Sequence, residues 1–411
     1  MLTDIVVVDL ADEKGAFCSR LLADLGALVV KVEKPGGNPD RNTGPYYHGL
    51  VHPEKSLSWF ALNLNKKGIT LNITTGDGKQ LFKRLVKKAN IVVESYAPGF
   101  LKELGLGYSE LNQINPGIIM TSITPYGQDG PYSAYKTSDL VSMAMSGVMY
   151  MTGDPDHPPV RVSSPQAYFH AGLHGATGTM LALLYQKRNG EGQHVDVSIQ
   201  QSIILANMNA LRYWEFDKVN IRRAGEFIFR PFSGVMQRQT WRCKDGYVCF
   251  SIIGGTIGTR RMKLLVEWMD SEGMAPEFLK VKDWSALDFT TLEQEDLDRT
   301  SEPIAKFFMS NTKSYLAEEA ARRGISLFPQ AEPKELLDSK QLVERNYWKK
   351  VHHPELDDDI IYPGPWMKAS KTPLGIRNRP PLIGEHNQEI FVEMLGLSAE
   401  DMAILKHINV I

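Results

Sequence analysis

Apolar positions set the outline of the N-terminal half of the chain. Ile5 to Asp9 is an apolar run closing on an acid, as in a strand covered on both faces. Phe17 to Leu25 repeats apolar residues at helical spacing, and Leu28 to Glu33 is largely apolar again. This strand–helix–strand opening predicts a parallel sheet of the nucleotide-binding kind. Further strands are predicted at Gly68 to Ile73, Ile91 to Glu94 and Ile118 to Ile123. Helices are predicted over Gly76 to Lys88 and over Asp139 to Met151. The alternation gives an α/β class with helices on both faces of the sheet.

The stretch from Ser163 to Gln200 organises the rest. Ala167, Ala171, His174, Gly178 and Leu181 recur at a spacing of three to four, which is helical. Gly172, Gly175 and Gly178 form a stripe along that helix. Each glycine costs a helix interior about 1 kcal/mol against alanine, so the stripe predicts close backbone approach by another element. Asn189-Gly190 stops the helix, and His194 to Ile199 alternates as a strand. From Ser198 to Trp214 the pattern predicts one continuing apolar helix.

Beyond residue 214 the character changes. Thr240 to Cys243 and Tyr247 to Ile252 flank Lys244-Asp245-Gly246, a hairpin signal. Charged helices are predicted at Arg260 to Met269, Leu292 to Met309 and Lys313 to Arg322, then at Pro333 to Asn346 and twice near the end. We therefore expect a large domain of residues 1–214 and 331–411 and a small α+β domain of 215–330.

Composition narrows the classes. A chain of 411 residues favours two domains. A net charge of -2 gives no pull toward nucleic acid or an anionic membrane. Three scattered cysteines, Cys18, Cys243 and Cys249, make no disulfide framework and suit the cytoplasm. No run of eighteen apolar residues is present, so no membrane span is expected. The first turn, ADEKGAF, lacks G-x-G-x-x-G, which argues against a bound nicotinamide even though Glu33 stands where a ribose acid would. His170 and His174 lie four apart without a third ligand, so no metal is expected. His194 and Asp196 read as a mutually satisfied pair. Met143, Met145, Met149 and Met151 cluster as adaptable packing or as a lining for a flexible acyl chain.

Six blocks carry a specific likeness: VVDLADEKGAFCSRLLADLGALVVKVEKPGG, LNLNKKGITLNI, ANIVVESYAPGFLKELGLGYSELNQINPGIIMTSITPYGQDGPY, DLVSMAMSGVMYMTGDPDHPPVRV, GATGTMLALLYQKRNGEGQHVDVSI and PPLIGEHNQEIFVEMLGL. In this order they resemble the class III CoA-transferases, the formyl-CoA and carnitine CoA-transferase family, which also holds the α-methylacyl-CoA racemases. The resemblance implies a Rossmann-like large domain built from both chain ends, a small domain, and interlocked dimers. It implies coenzyme A or an acyl-CoA as substrate, with no covalently bound cofactor. Lys34, Leu71, Ser95, Tyr96 and Lys136 would meet the CoA, lysines suiting phosphate and an aromatic suiting adenine. Glu103 stands where active members usually have arginine.

Active members of that family carry a nucleophilic aspartate four residues before the first stripe glycine. It attacks the thioester carbonyl and forms a mixed anhydride, which the departing CoA thiolate then attacks. Here that position is Tyr168. A phenol titrates near pH ~10 and is a poor nucleophile at neutrality. The racemase branch adds a histidine where this chain has Ser138. The resemblance therefore implies a non-catalytic subunit, paired with a homologous aspartate-bearing chain in a heterodimer or heterotetramer. Such an enzyme would move CoA from a succinyl-CoA-like donor to a carboxylate such as an aryl- or alkyl-succinate. Two alternatives stand beside it: an active homodimer using Asp139 or Glu13, and a non-enzymatic acyl-CoA binding protein. Asp139 also reads as a helix cap or loop anchor, and Glu13 as a partner of Lys14.

Overall fold

The computed structural model describes residues 1–411, the side chain of Ile257 excepted. The chain forms two compact units. One comprises Met1–Ser146, Ser163–Ala206 and Lys340–Ile411; the other comprises Gly147–Val162 and Asn207–Ser339.

The first unit is built on six strands: β1 (Val6–Asp9), β2 (Leu28–Glu33), β3 (Lys66–Thr70), β4 (Ile91–Glu94), β5 (Ile119–Thr124) and β6 (His194–Ser198). They lie in the order β3-β2-β1-β4-β5-β6, and every neighbouring pair is parallel. Runs such as VVVD and IVVE suit this sheet because both of its faces are covered. On one face, Leu81, Phe82, Leu85 and Val86 of helix α3 pack among Val8, Val30, Val92 and Met120; α1 and α2 are Ala16–Asp24 and Leu57–Asn63, and α3 is Gly76–Val86.

On the opposite face a buried polar network fixes β1 and β3 against α1 and α2. Lys66 Nζ donates to Asp9 Oδ2 at 2.9 Å, to Ser19 Oγ at 2.9 Å and to Asn63 Oδ1 at 2.9 Å. Ser19 Oγ donates to the same Asp9 oxygen at 2.6 Å. Each of these charges finds a partner, as burial requires.

Chain order continues through α4 (Phe100–Glu103), α5 (Tyr108–Ile114), α6 (Asp139–Met145), α7 (Ala167–Asn189) and α8 (Ile199–Ile204). The glycine stripe does what its spacing predicts. A Cβ on Gly172 would sit 2.8 Å from Phe17 Cβ and 3.0 Å from the Cys18 backbone nitrogen, both on α1. One on Gly175 would sit 2.9 Å from Ile123 Cδ1, and one on Gly178 2.9 Å from Val195 Cγ1. Gly190, at φ +80°, caps α7 in the left-handed conformation.

The far end of the chain completes this unit. The backbone N–H groups of Gly68 and Thr70 on edge strand β3 donate to His386 Nδ1 at 3.2 Å and Asn387 Oδ1 at 2.8 Å. Ile390, Phe391, Leu397, Val410 and Ile411 join the core beneath. A hairpin of Trp348–His353 and Asp358–Pro363 packs Tyr362 with Trp59 and Phe60.

The second unit has a three-stranded antiparallel sheet, Leu327–Pro329, Gly246–Phe250 and Thr240–Cys243 in spatial order, beside a two-stranded ribbon. Helices Gly255–Ser271, Gln294–Ser310 and Lys313–Arg323 close over a core containing Trp241, Trp268, Trp284, Phe307 and Phe308.

Several expectations are corrected. The helix expected from Ser198 to Trp214 breaks into α8, a 3-10 turn, Met208–Arg212 and a π-turn, and the unit boundary falls within the break. The helix expected from Asp139 to Met151 ends at Met145, just before Gly147 at φ +81°. Pro333 to Asn346 holds only a 3-10 turn at Pro333–Leu336 and a helix at Lys340–Glu344, with the other unit boundary between them. Strand β3 begins at Lys66 because that residue is drawn inward onto Asp9.

Candidate functional site

Strand order reverses at β1 and β4, and the loops beyond their carboxyl ends meet there. The Asp12 N–H donates to Ser95 Oγ at 2.9 Å, and that hydroxyl donates to Asp12 Oδ1 at 2.7 Å. In open α/β sheets such a reversal makes a crevice for ligands.

A cavity of about 410 Å³ lies in the same unit, lined by Glu13, Phe17, Asp40, Trp59, Tyr168 and Phe169 among others. Phe17 and Phe169 meet edge to face, with centroids 5.0 Å apart. Tyr168 occupies the first turn of α7 and is buried. Its phenol is pushed up by burial, then by Glu13 and Asp139; a hydrogen bond from the Asp139 backbone opposes this. Burial and then Asp12 raise the Glu13 carboxyl, while Lys14 works against them. The expected Glu13–Lys14 pair does not form, because the Lys14 ammonium turns to Asp12. Asp40 is raised by burial against the pull of Lys31, and its Oδ1 is buried without a hydrogen-bond partner.

Asp139 has a defined structural task. Its Oδ1 accepts the N–H groups of Gln166 at 2.9 Å and Ala167 at 2.8 Å, at the start of α7. A carboxylate there answers both the unpaired N–H groups and the helix dipole. Ser138 Oγ caps α6 by accepting the Val141 N–H at 3.4 Å.

Beside the cavity, Arg41 ties the wall together. Its guanidinium donates to both oxygens of Glu33 at 2.7 Å, to Glu54 at 2.6 Å and to Pro381 O at 3.0 Å, and lies 3.8 Å over the Trp59 ring. Glu33 is thus held by Arg41 and is not free to meet a ribose.

Lys34, Leu71, Ser95 and Tyr96 directly follow β2, β3 and β4, so they share the carboxyl edge of adjacent strands. The Leu71 N–H donates to Glu33 O at 2.7 Å, joining two of those ends. Lys34 and Lys136 are exposed, and Leu71 and Ser95 are buried. The Tyr96 ring lies 4.7 Å from that of Phe100, and its N–H donates to Glu94 at 2.8 Å. Lys136 is in the loop between β5 and α6, and Glu103 is exposed on α4. None of these residues lines the 410 Å³ cavity.

His194 and Asp196 are not each other's partners. His194 Nε2 lies 2.8 Å from Ser122 Oγ, and Asp196 accepts the Gln128 N–H at 3.0 Å. His170 and His174 belong to no group of three metal-ligating side chains among the described residues. No described helix is long and apolar enough to cross a membrane.

The sequence reading missed Asp40, Trp59 and the buried acid Glu94. Asp40 and Trp59 lie in stretches without period. Glu94, an acid closing an apolar strand, carried the signal that would have found it.

The chain is similar to known proteins over nearly its whole length. The model of CoA-transferase family III matches residues 2–387. The chain is 32% identical over 402 residues to the succinyl-CoA:(R)-benzylsuccinate CoA-transferase subunit BbsE of Thauera aromatica, covering 94% of this chain and 92% of that one. It is 32% identical over 416 residues to the succinyl-CoA–D-citramalate CoA-transferase of Chloroflexus aurantiacus, covering 100% and 98%. A CaiB/BaiF family protein from Brucella suis matches in three dimensions with a TM-score of 0.78, at 26% identity over 95% of this chain and 98% of that one.

Proposed function

The chain belongs to CoA-transferase family III, and on that premise we propose that it is the subunit without the nucleophile in a heteromeric enzyme. One observation carries the reading: the first turn of α7 presents Tyr168, whose buried phenol is pushed further from ionisation by Glu13 and Asp139. Acyl exchange needs a carboxylate that forms an anhydride with the acyl group and releases it again to CoA. A protonated phenol cannot take that part, so the anhydride forms on the aspartate of a homologous partner chain. The name of the BbsE relative, itself a subunit, supports this assembly.

The family's substrates are CoA thioesters. The names of the two relatives favour succinyl-CoA as donor and a substituted succinate or similar carboxylate as acceptor. In this reading the CoA runs along the carboxyl edge of the sheet, past Lys34, Leu71, Ser95 and Tyr96, with Lys136 reaching a phosphate. An interlocked dimer would explain why a chain lacking the nucleophile is retained: the partner cannot close its ring alone.

The test is purification of the chain alone and with a co-expressed, aspartate-bearing homologue. The complex should transfer CoA, the lone chain should not, and Tyr168→Phe within the complex should leave kcat within about twofold. Transfer by the lone chain at the rate of the complex sinks the proposal.

Glu13 keeps a second reading open, because it lines the Tyr168 cavity and makes no ion pair among the described residues. Hydroxylamine trapping during turnover, with mass mapping, would leave a hydroxamate on Glu13, the acyl group or CoA departing, if it were the nucleophile. Asp139, holding the start of α7, is less suited to that task.

A further inference from the structure

The cavity at Tyr168 has a chemistry of its own. Its aromatic walls are Phe17, Trp59 and Phe169, with Tyr168 in the first turn of α7. Two carboxyl groups, Glu13 and Asp40, also line it. No lysine, arginine or histidine is among the described residues that line it. The nearby cations are engaged elsewhere: Lys14 with Asp12, Lys31 with Asp9 and the Ala11 carbonyl, Arg41 with Glu33 and Glu54. Asp40 Oδ1 is buried and accepts no hydrogen bond.

A volume of about 410 Å³ holds a ring with a short substituent. The hydroxyls of Ser58 and Ser164, also in the lining, can donate or accept. Ionised carboxyl groups only accept, so Glu13 and Asp40 offer a ligand donor two partners here. A ligand carboxylate brought here would face like charge with no cation in the lining to offset it, and loses water in doing so.

We propose that this cavity binds an aryl group carrying a hydrogen-bond donor, ammonium or hydroxyl, and turns away aryl carboxylates, with Glu13 as the residue that sets the choice. An ammonium gains most, since it meets the carboxyl groups and the ring faces together. A carboxylate enters only with a proton taken up. The acyl acceptor of the family reaction is therefore excluded from this chain's own cavity. The inference rests on the lining and not on the subunit reading. A lone chain that proved active would defeat that reading and leave the ligand preference as it stands.

Three ring-matched probes test it on the full-length chain: benzylamine, benzyl alcohol and benzoate, followed by calorimetry and saturation-transfer NMR at neutral pH. Benzylamine should bind at least about fivefold more tightly than benzoate, with benzyl alcohol between them. Glu13→Gln should remove most of that difference by weakening benzylamine and strengthening benzoate. Asp40→Asn should do the same to a smaller extent, which separates a charge effect from local damage at one site. Benzoate binding as tightly as benzylamine, no binding by any probe, or an unchanged order in both variants would each overturn the proposal.

Discussion

Glu94 ends β4 inside the sheet, where burial pushes its carboxyl up to about 7 even though Ser122 and the Tyr96 N–H stabilise the charge. The folded chain therefore keeps a proton that the unfolded chain, at its usual 4.5, has lost. Native protein binds more protons across that window, so this group's contribution to stability falls as pH rises from about 4.5 to about 7. The fall is at most about 3 kcal/mol. Glu94→Gln should flatten the slope, read as unfolding free energy in urea at a series of pH values. Residue roles were unevenly legible. The place of Tyr168 could be counted from Gly172, because spacing along one helix is fixed. Asp139 could be read as an anchor, but not which helix it anchors, since that partner lies 27 and 28 residues further along. Asp40 and Glu94 gain their character from burial by distant elements, which no local pattern records.

Among the elements, α7 was the most legible and is the most constrained. Its glycines violate helix propensity, and the violation is explained by contact with α1, β5 and β6. Gly172→Ala should gain about 1 kcal/mol of propensity yet destabilise by about 2 kcal/mol net. The added methyl meets the backbone of Cys18 at 3.0 Å, which cannot turn aside as a side chain can. Thermal denaturation of the variant measures this, with Gly178→Ala as the milder comparison, since there a single Val195 methyl must move. The parallel strands were legible because double burial makes them continuous apolar runs. The Trp348–His353 and Asp358–Pro363 hairpin was not, because its exposed face interleaves lysine, histidine and aspartate with the apolar positions. Helices also stop at the unit boundaries, where packing and not local propensity decides.

Across the whole molecule, the composition of the first unit from both chain ends followed from the likeness to a family, not from any periodicity. Arg41 is where that composition is tested. It joins Glu33 and Glu54 to the Pro381 carbonyl across 340 residues of sequence, fully buried against Trp59. Arg41→Lys keeps the charge but loses the fork that holds three hydrogen-bonding partners. It should cost about 3 kcal/mol, seen as a lower urea midpoint. Limited proteolysis should then cut first in the 370–390 segment.

The same dependence on distant residues has a consequence in time. On the ribosome, strand β3 emerges some three hundred residues before His386 and Asn387, whose side chains accept its outer N–H groups. Throughout that interval the nascent sheet presents an open margin able to recruit any passing strand. Synthesis of residues 386 and 387 is thus also the act of closure, and shelter of that margin until then favours correct folding of the newly made chain.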